Sequence, residues 1–370
     1  MKKIKTILIG TSEFAAKIFE KLLEANFPKI DIMAVITALD KPTGRKQEII
    51  PSPVKKFALN NLGVKLPNCL ILQPEKISSP EWIEKIKKLN PNLIILAAYG
   101  QIVPKEILDI VSPRPYGQDK YGALNIHPSL LPRYRGASPI QAAILSGDKI
   151  SGVTIMLMDE EMDHGPIISN SQFSIFQPTT DQPKAGKPTY EELSKKLANV
   201  AAELLIKTLP DWIEGKIKAR PQEHSKATFC KIIKKQDGRI DWRKSAEEIE
   251  KQVRAFHKWP GVYTKTKDNK PQIISSHLTE QARQGRSQYH LVQSSQKIKN
   301  KILKILEADV SKENIDKRIG EVFLTNKKEL AIQTGKGVLI LKQVQLEGRK
   351  QVAARDFLNG HPEIIGTLLK

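Results

Sequence analysis

The chain has 370 residues, carries 60 Lys/Arg against 40 Asp/Glu for a formal net charge of +20, and contains two cysteines. That length predicts two domains. Cys69 and Cys230 lie far apart, with no metal-ligand spacing around them, which argues against a disulfide framework and against a metal site. No apolar run is long enough to span a bilayer, and Met1-Lys2-Lys3-Ile4-Lys5 does not lead into a signal-peptide core, so a cytoplasmic protein without membrane contact is expected.

The first half alternates strand and helix signals. An apolar run from Ile4 to Ile9 ends at Gly10, and Phe14, Ile18 and Leu22 then recur at helical spacing. Ile32 to Ile36 reads as the next strand, Ser52-Pro53 as a helix start, and Trp82 to Leu89 as a further helix. Leu93 to Ala98 is apolar on both faces, as a strand covered on both sides of a parallel sheet would be. These features predict an α/β domain with a Rossmann-like parallel sheet, whose ligands sit beyond the carboxyl ends of the strands. Gly10-Thr11-Ser12-Glu13-Phe14 follows the first strand but lacks Gly-x-Gly-x-x-Gly, so a dinucleotide site is rejected.

The most specific stretch is Ala123 to Gly136, Ala-Leu-Asn-Ile-His-Pro-Ser-Leu-Leu-Pro-Arg-Tyr-Arg-Gly. Asn125 and His127 are two apart, so on a strand they share a face while Ile126 takes the other. Pro128 keeps His127 extended, and Pro132 stiffens the end of Ser129-Leu130-Leu131. An amide and an imidazole held side by side against leucines are suited to polarise a carbonyl. A lone histidine on a strand is as a rule structural; the Asn-x-His pair is more informative.

Val153 to Met158 gives another strand, and Tyr190 to Thr208 an amphipathic helix, with Pro210-Asp211 beginning the exit from the first domain. Domains are expected at 1–210 and 225–370, joined by a linker over 211–224. Ser245 and Glu248 form a capping-box pair that opens a helix running to Phe256. Beyond it, short strands punctuated by glycine suggest a small barrel. Residues 1–210 hold 27 Lys/Arg against 21 Asp/Glu, whereas 211–370 hold 33 against 19. A basic second half argues for a polyanionic partner. The loop Asp40-Lys41-Pro42-Thr43-Gly44-Arg45-Lys46 is basic too, and by composition alone reads equally well as a solvated loop.

Asn-x-His followed by Ser-Leu-Leu-Pro resembles the formyltransferases that use 10-formyltetrahydrofolate. The resemblance implies a catalytic trio of Asn125, His127 and an aspartate from a Met-Asp-x-Gly-x-Asp-x-Gly segment. Here that segment runs from Met158 to Gly165, so Asp163 takes the aspartate's place and Glu161 stands where the family has glycine. Asn125 and His127 near one strand end and Asp163 just past another would place all three at the carboxyl ends of strands. Ser129, Leu130, Leu131 and Pro132 match the folate-lining segment. Ser12 departs from the family's Gly-Thr-Pro turn.

Further motifs resemble the second domain of the branch that formylates methionyl-tRNA. They are Asp237-Gly238-Arg239-Ile240-Asp241-Trp242, Arg254 to Gly261, Thr334-Gly335-Lys336-Gly337 and Asp356 to Gly360. The match covers nearly the whole chain, with insertions near 113–120 and 281–300. It implies an OB-fold-like barrel that contributes to tRNA binding, and a loop bearing Lys41, Arg45 and Lys46 that enters the acceptor end. The implied partners are charged initiator tRNA and 10-formyltetrahydrofolate, with no metal and a monomeric enzyme.

In the implied reaction the methionine α-amino group attacks the formyl carbon. Asn125 would donate to the oxyanion, His127 would donate a second bond and pass a proton, and Asp163 would orient the imidazole and stabilise its charged form. The alternative is a formyltransferase acting on a small amine such as glycinamide ribonucleotide or an amino sugar. A third possibility, an RNA-binding protein with a decayed enzyme domain, is disfavoured because the trio is intact.

Overall fold

The computed structural model describes residues 3–43, 47–113, 119–176, 186–266, 301–313 and 315–370. Arg45, Lys46 and most of the two expected insertions lie outside them. The chain divides into two units, one of Met1–Ala143 with Gly147–Ile232 and one of Ile233–Lys370 with Ile144–Ser146.

In the first unit the described elements run β1 (Ile4–Gly10), α1 (Glu13–Glu24), β2 (Ile30–Ile36), β3 (Lys41–Thr43), β4 (Glu48–Ile50), α2 (Pro53–Asn61), β5 (Leu70–Leu72), α3 (Pro80–Leu89), β6 (Leu93–Ala97), α4 (Lys105–Val111), β7 (Gly122–His127), β8 (Arg135–Gly136), α5 (Pro139–Ser146), β9 (Ile150–Leu157), β10 (Ile167–Ser174), α6 (Tyr190–Ile213) and β11 (Phe229–Cys230). Seven strands form one sheet in the order β10-β9-β7-β6-β1-β2-β5. The five from β7 to β5 are parallel, as the doubly covered apolar runs predict. Every residue of β6 is buried, and so is every residue of β7.

Helix starts follow local chemistry. Ser52 caps α2 by accepting from the Lys55 N–H at 2.9 Å, with Pro53 in the first turn. Thr189 and Glu192 form a capping box at α6. That helix continues through Pro210 to Ile213, further than the proline suggested. Proline lacks the N–H for the carbonyl four residues back and crowds it, yet the last turn goes on, with the Glu214 N–H donating to Pro210 O at 3.0 Å. Phe19 of α1 is fully buried beside the Phe57 ring, with centroids 6.2 Å apart. Phe19→Ala is expected to cost about 3–5 kcal/mol in urea unfolding, because the cavity lies in a packed core; a cost below about 1 kcal/mol would contradict that packing.

The sheet departs from the expected pattern at one edge. β9 pairs antiparallel with β7, with Leu157 opposite Leu124 and Thr154 opposite His127, and β10 pairs antiparallel with β9. The carboxyl end of β9 therefore lies at the amino end of β7. The rule for parallel strands does not apply to the residues after β9, and the loop to β10 must turn back along β7 for Asp163 to reach it.

The second unit is an antiparallel half-barrel sheet with the order β12 (Val262–Lys265), β13 (Ile302–Ser311), β16 (Val338–Leu346), β15 (Leu330–Gln333) and β14 (Val322–Leu324), with β17 (Gln351–Ala353) also on β16. α7 (Ala246–Ala255) carries the expected capping box and α8 (Ala354–Gly360) follows β17. The last residues join the two sheet edges. Lys370 exchanges backbone bonds with Lys265 beside β12, while the Leu369 N–H donates to Gly320 O and the Val322 N–H to Thr367 O beside β14. The family motifs in this half are contacts of the fold. A Cβ on Gly238 would sit 2.0 Å from the Gly261 carbonyl, and one on Gly335 would sit 1.9 Å from the Arg243 carbonyl. Trp242 is buried and donates from Nε1 to Thr264 Oγ1 at 3.2 Å.

Candidate active site

Asn125, His127 and Asp163 come together in the first unit. Asn125 and His127 project from one face of β7, both buried, and Asp163 arrives from the loop between β9 and β10. Asn125 Nδ2 donates to Asp163 Oδ1 at 2.9 Å, and the Gly136 N–H donates to Asp163 Oδ2 at 2.8 Å. His127 Nδ1 lies 3.5 Å from Asp163 Oδ1. The carboxylate is thus shared among an amide, a backbone N–H and an imidazole. Asp163 takes a left-handed backbone with φ of 51°.

The other imidazole nitrogen fixes the tautomer. His127 Nε2 is 2.9 Å from the Tyr134 carbonyl, which can only accept, so Nε2 carries hydrogen. In the neutral ring Nδ1 is then the nitrogen without hydrogen, and it faces a carboxylate. One hydrogen of Asn125 Nδ2 is used on Asp163; the second has no partner among the described residues.

The segment Ser129–Pro132 is held from behind. Thr154 Oγ1 donates to Ser129 O at 2.7 Å and accepts from the Leu131 N–H at 3.1 Å, while Ser129 Oγ donates to Arg133 O at 2.6 Å. Ser129 and Leu131 are buried, and Leu130 and Pro132 half-buried. The Leu131–Pro132 bond is cis. Lys41 opens the exposed β3–β4 ribbon. Glu161, the departure from glycine, has no positive φ among the described residues and its side chain is 75% exposed, so an ordinary side chain fits there.

Sequence reasoning missed several groups. Thr11 Oγ1 and Ser12 Oγ after β1 and Tyr99 OH after β6 are buried without a hydrogen-bond partner. They lie past the carboxyl ends of the two central strands, where the order of connection reverses and where such sheets take ligands. Burial pushes the Tyr99 phenol up to about 12, so it stays a neutral donor. Buried hydroxyls without partners are costly in an isolated protein and fit a polar ligand. The signal available in the sequence was the Gly10-to-Phe14 turn, set aside with the dinucleotide reading. Among the described residues no cluster of His, Cys, Asp and Glu could hold a metal ion, and no helix is long and apolar enough to cross a membrane.

Comparison with known proteins assigns the chain. Residues 2–209 match the formyl transferase domain, and 232–295 with 286–362 match the formyl transferase C-terminal domain. The chain belongs to the formyltransferase family. This formyltransferase is 37% identical over 369 residues to the methionyl-tRNA formyltransferase of Caldicellulosiruptor saccharolyticus, covering 98% of this chain and 99% of that one. With the methionyl-tRNA formyltransferase of Sulfurihydrogenibium sp. it shares 36% identity over 360 residues, 97% of each chain. Its fold is similar to HypX from Aquifex aeolicus, solved with tetrahydrofolic acid, at TM-score 0.57 and 14% identity over 98% of this chain and 48% of that one. WlaRD, a sugar 3N-formyl transferase, aligns at TM-score 0.55 and 20% identity over 95% of this chain and 100% of that one. At such identities these two likenesses speak for the fold.

Proposed function

We propose that this formyltransferase transfers the formyl group of 10-formyltetrahydrofolate to the free α-amino group of methionyl-initiator tRNA. The observation that carries the reading is 37% identity to a methionyl-tRNA formyltransferase along nearly the full length of both chains. Formyl transfer would belong to the unit that ends at Ile232 and tRNA binding to the unit from Ile233; the stretch 211–224, expected as a linker between domains 1–210 and 225–370, lies within the first of these, with Gln222 buried in it. We take a cytoplasmic monomer as its working form.

The bound folate supplies an activated formyl group. The loop Ser129–Pro132 would hold it, presenting Leu130 and Pro132 while Thr154 keeps the loop's shape. The amine forms a bond to the formyl carbon, the bond from that carbon to the folate nitrogen breaks, and one proton passes from the amine to the departing nitrogen. Asn125 directs its second Nδ2 hydrogen at the oxygen where negative charge grows. His127 moves the proton through Nδ1, and Asp163 stabilises the imidazole while Nδ1 is protonated. An α-amino group has a reference pKa of about 7.7–8.0, so a neutral fraction is present near pH 7 without an enzyme base.

The test supplies 10-formyltetrahydrofolate with either charged initiator tRNA or small amines. Formylation of the tRNA supports the reading; transfer only to glycinamide ribonucleotide or an amino sugar would replace it.

The loop with Lys41, Arg45 and Lys46 yields a second test. A basic loop can stabilise an opened acceptor end by phosphate contacts and stacking, and the planar guanidinium of arginine does both better than lysine. Arg45→Ala should lower formylation strongly and Arg45→Lys partly restore it. The defect should shrink on a tRNA whose first base pair is already open. An equal defect on paired and unpaired tRNAs would reduce Arg45 to a phosphate contact.

A further inference from the structure

Gln222 lies past α6, in a stretch that holds none of the sequence-predicted site residues, yet it is 5% exposed. Its Nε2 donates to Asp163 O at 2.9 Å and to Gly165 O at 2.7 Å. Its Oε1 accepts from Arg135 Nη2 at 2.8 Å and Nε at 3.2 Å. The orientation of the amide is forced. Carbonyls only accept and a guanidinium only donates, so a reversed amide would meet like partners on both sides.

Arg135 is itself 4% exposed and adjoins Gly136, whose N–H holds Asp163 Oδ2. Its Nη2 also meets His224 Nδ1 at 2.8 Å, so that nitrogen accepts and the neutral His224 ring keeps its hydrogen at Nε2. His224 stacks on His164 with centroids 4.1 Å apart and planes within 9°, and His164 Nδ1 meets Asp159 Oδ2 at 2.7 Å. The loop from Asp159 to Gly165 is therefore gripped at its carbonyls and at its histidine. Gln222 bonds the carbonyls on either side of His164, directly at the residue with the left-handed backbone.

We propose that Gln222, oriented by Arg135, is a positioning residue that fixes the backbone of Asp163 so that its carboxylate meets Asn125, Gly136 and His127 together. The catalytic part of this inference rests on the proposed function; the backbone clamp does not. Gln222→Glu separates the clamp from mere filling of space. It is nearly isosteric and gains a charge pair with Arg135, but it sets an acceptor against two carbonyls. Gln222→Ala removes both ends.

In the full-length protein, Gln222→Glu should lower kcat about 10–10²-fold, the scale of a misplaced catalytic group, with KM for both substrates changed by less than about threefold. In the Asp163→Ala background the same substitution should cost less than about twofold in single-turnover rate, because the group it positions is gone. Equal losses in both backgrounds, or a near-normal kcat in Gln222→Glu, would overturn the positioning role. Hydrogen exchange over 159–165 provides the readout independent of activity, with faster exchange expected in both variants. Unchanged exchange would overturn the clamp. If the unsubstituted protein failed to formylate charged initiator tRNA, the proposed acceptor would fall while the exchange result still decided the clamp.

Discussion

His127→Ala, Asn125→Ala and Asp163→Ala are each expected to lower the rate of formylation at least about a hundredfold, with folate and tRNA binding largely retained. The argument is one of timing. In the proposed mechanism Asn125 meets charge that exists only as the amine adds, and His127 carries its proton only in that step; removal of one oxyanion donor typically costs about 10²–10³ in rate. Ground-state binding would draw on other groups, the Ser129–Pro132 loop among them in the proposed mode. Asp163→Asn is the nearly isosteric variant: its one oxygen can still accept from Gly136, while its NH2 replaces the charge that faces His127 Nδ1 at 3.5 Å and meets the Asn125 donor. If charge matters beyond shape, Asp163→Asn should fall close to Asp163→Ala. Double variants should lose far less than the product of the single losses, because the three groups act as a unit. Single-turnover formylation at saturating substrates measures this, and near-normal turnover in His127→Ala would refute the proton path through Nδ1.

How much of this could be read from the sequence depended on how local each signal was. Asn125 and His127 were legible because alternation on a strand and bracketing prolines are local geometry. The buried parallel strands were legible because β6 is a continuous apolar run. β10 was not, since Ile-Ile-Ser-Asn-Ser-Gln-Phe-Ser is mostly half-buried or exposed and gives no such run. The antiparallel edge was hidden with it, and so was the way the Asp163 loop turns back along β7. Asp163 itself was reached only through family resemblance, because its partners lie on β7 and at Gly136, far off along the chain. Arg135 and Gln222 gave no signal, as one arginine and one glutamine 87 positions apart show no periodicity. In the second unit the strands after Gly261 were legible from their glycine punctuation, whereas the terminal stretch that joins the sheet edges was too short to announce itself.

Affinity for charged tRNA should fall steeply with salt, while turnover at saturating substrates stays nearly flat. Residues 211–370 carry 33 Lys/Arg against 19 Asp/Glu, and each phosphate neutralised by such a surface releases counterions from the nucleic acid. With six or more phosphate contacts the loss between 50 and 200 mM salt would reach about 10³-fold. Not every base can contribute equally. Arg243 holds Asp241 through two bonds of 2.8 Å and keeps that carboxyl down to about 2, so part of its charge is committed within the fold. Arg239 and Lys370 border the same cavity of about 600 Å³ beside Trp242. Arg239 is exposed, which makes it the better probe. Arg239→Glu should weaken tRNA binding and make the slope of log affinity against log salt shallower by about one for a single lost phosphate contact. The small folate donor, with far fewer charges than tRNA, should show a much weaker dependence in the same titration. A tRNA slope as shallow as the folate slope would mean that the basic half serves solubility, and would remove the charge argument for its role in binding tRNA.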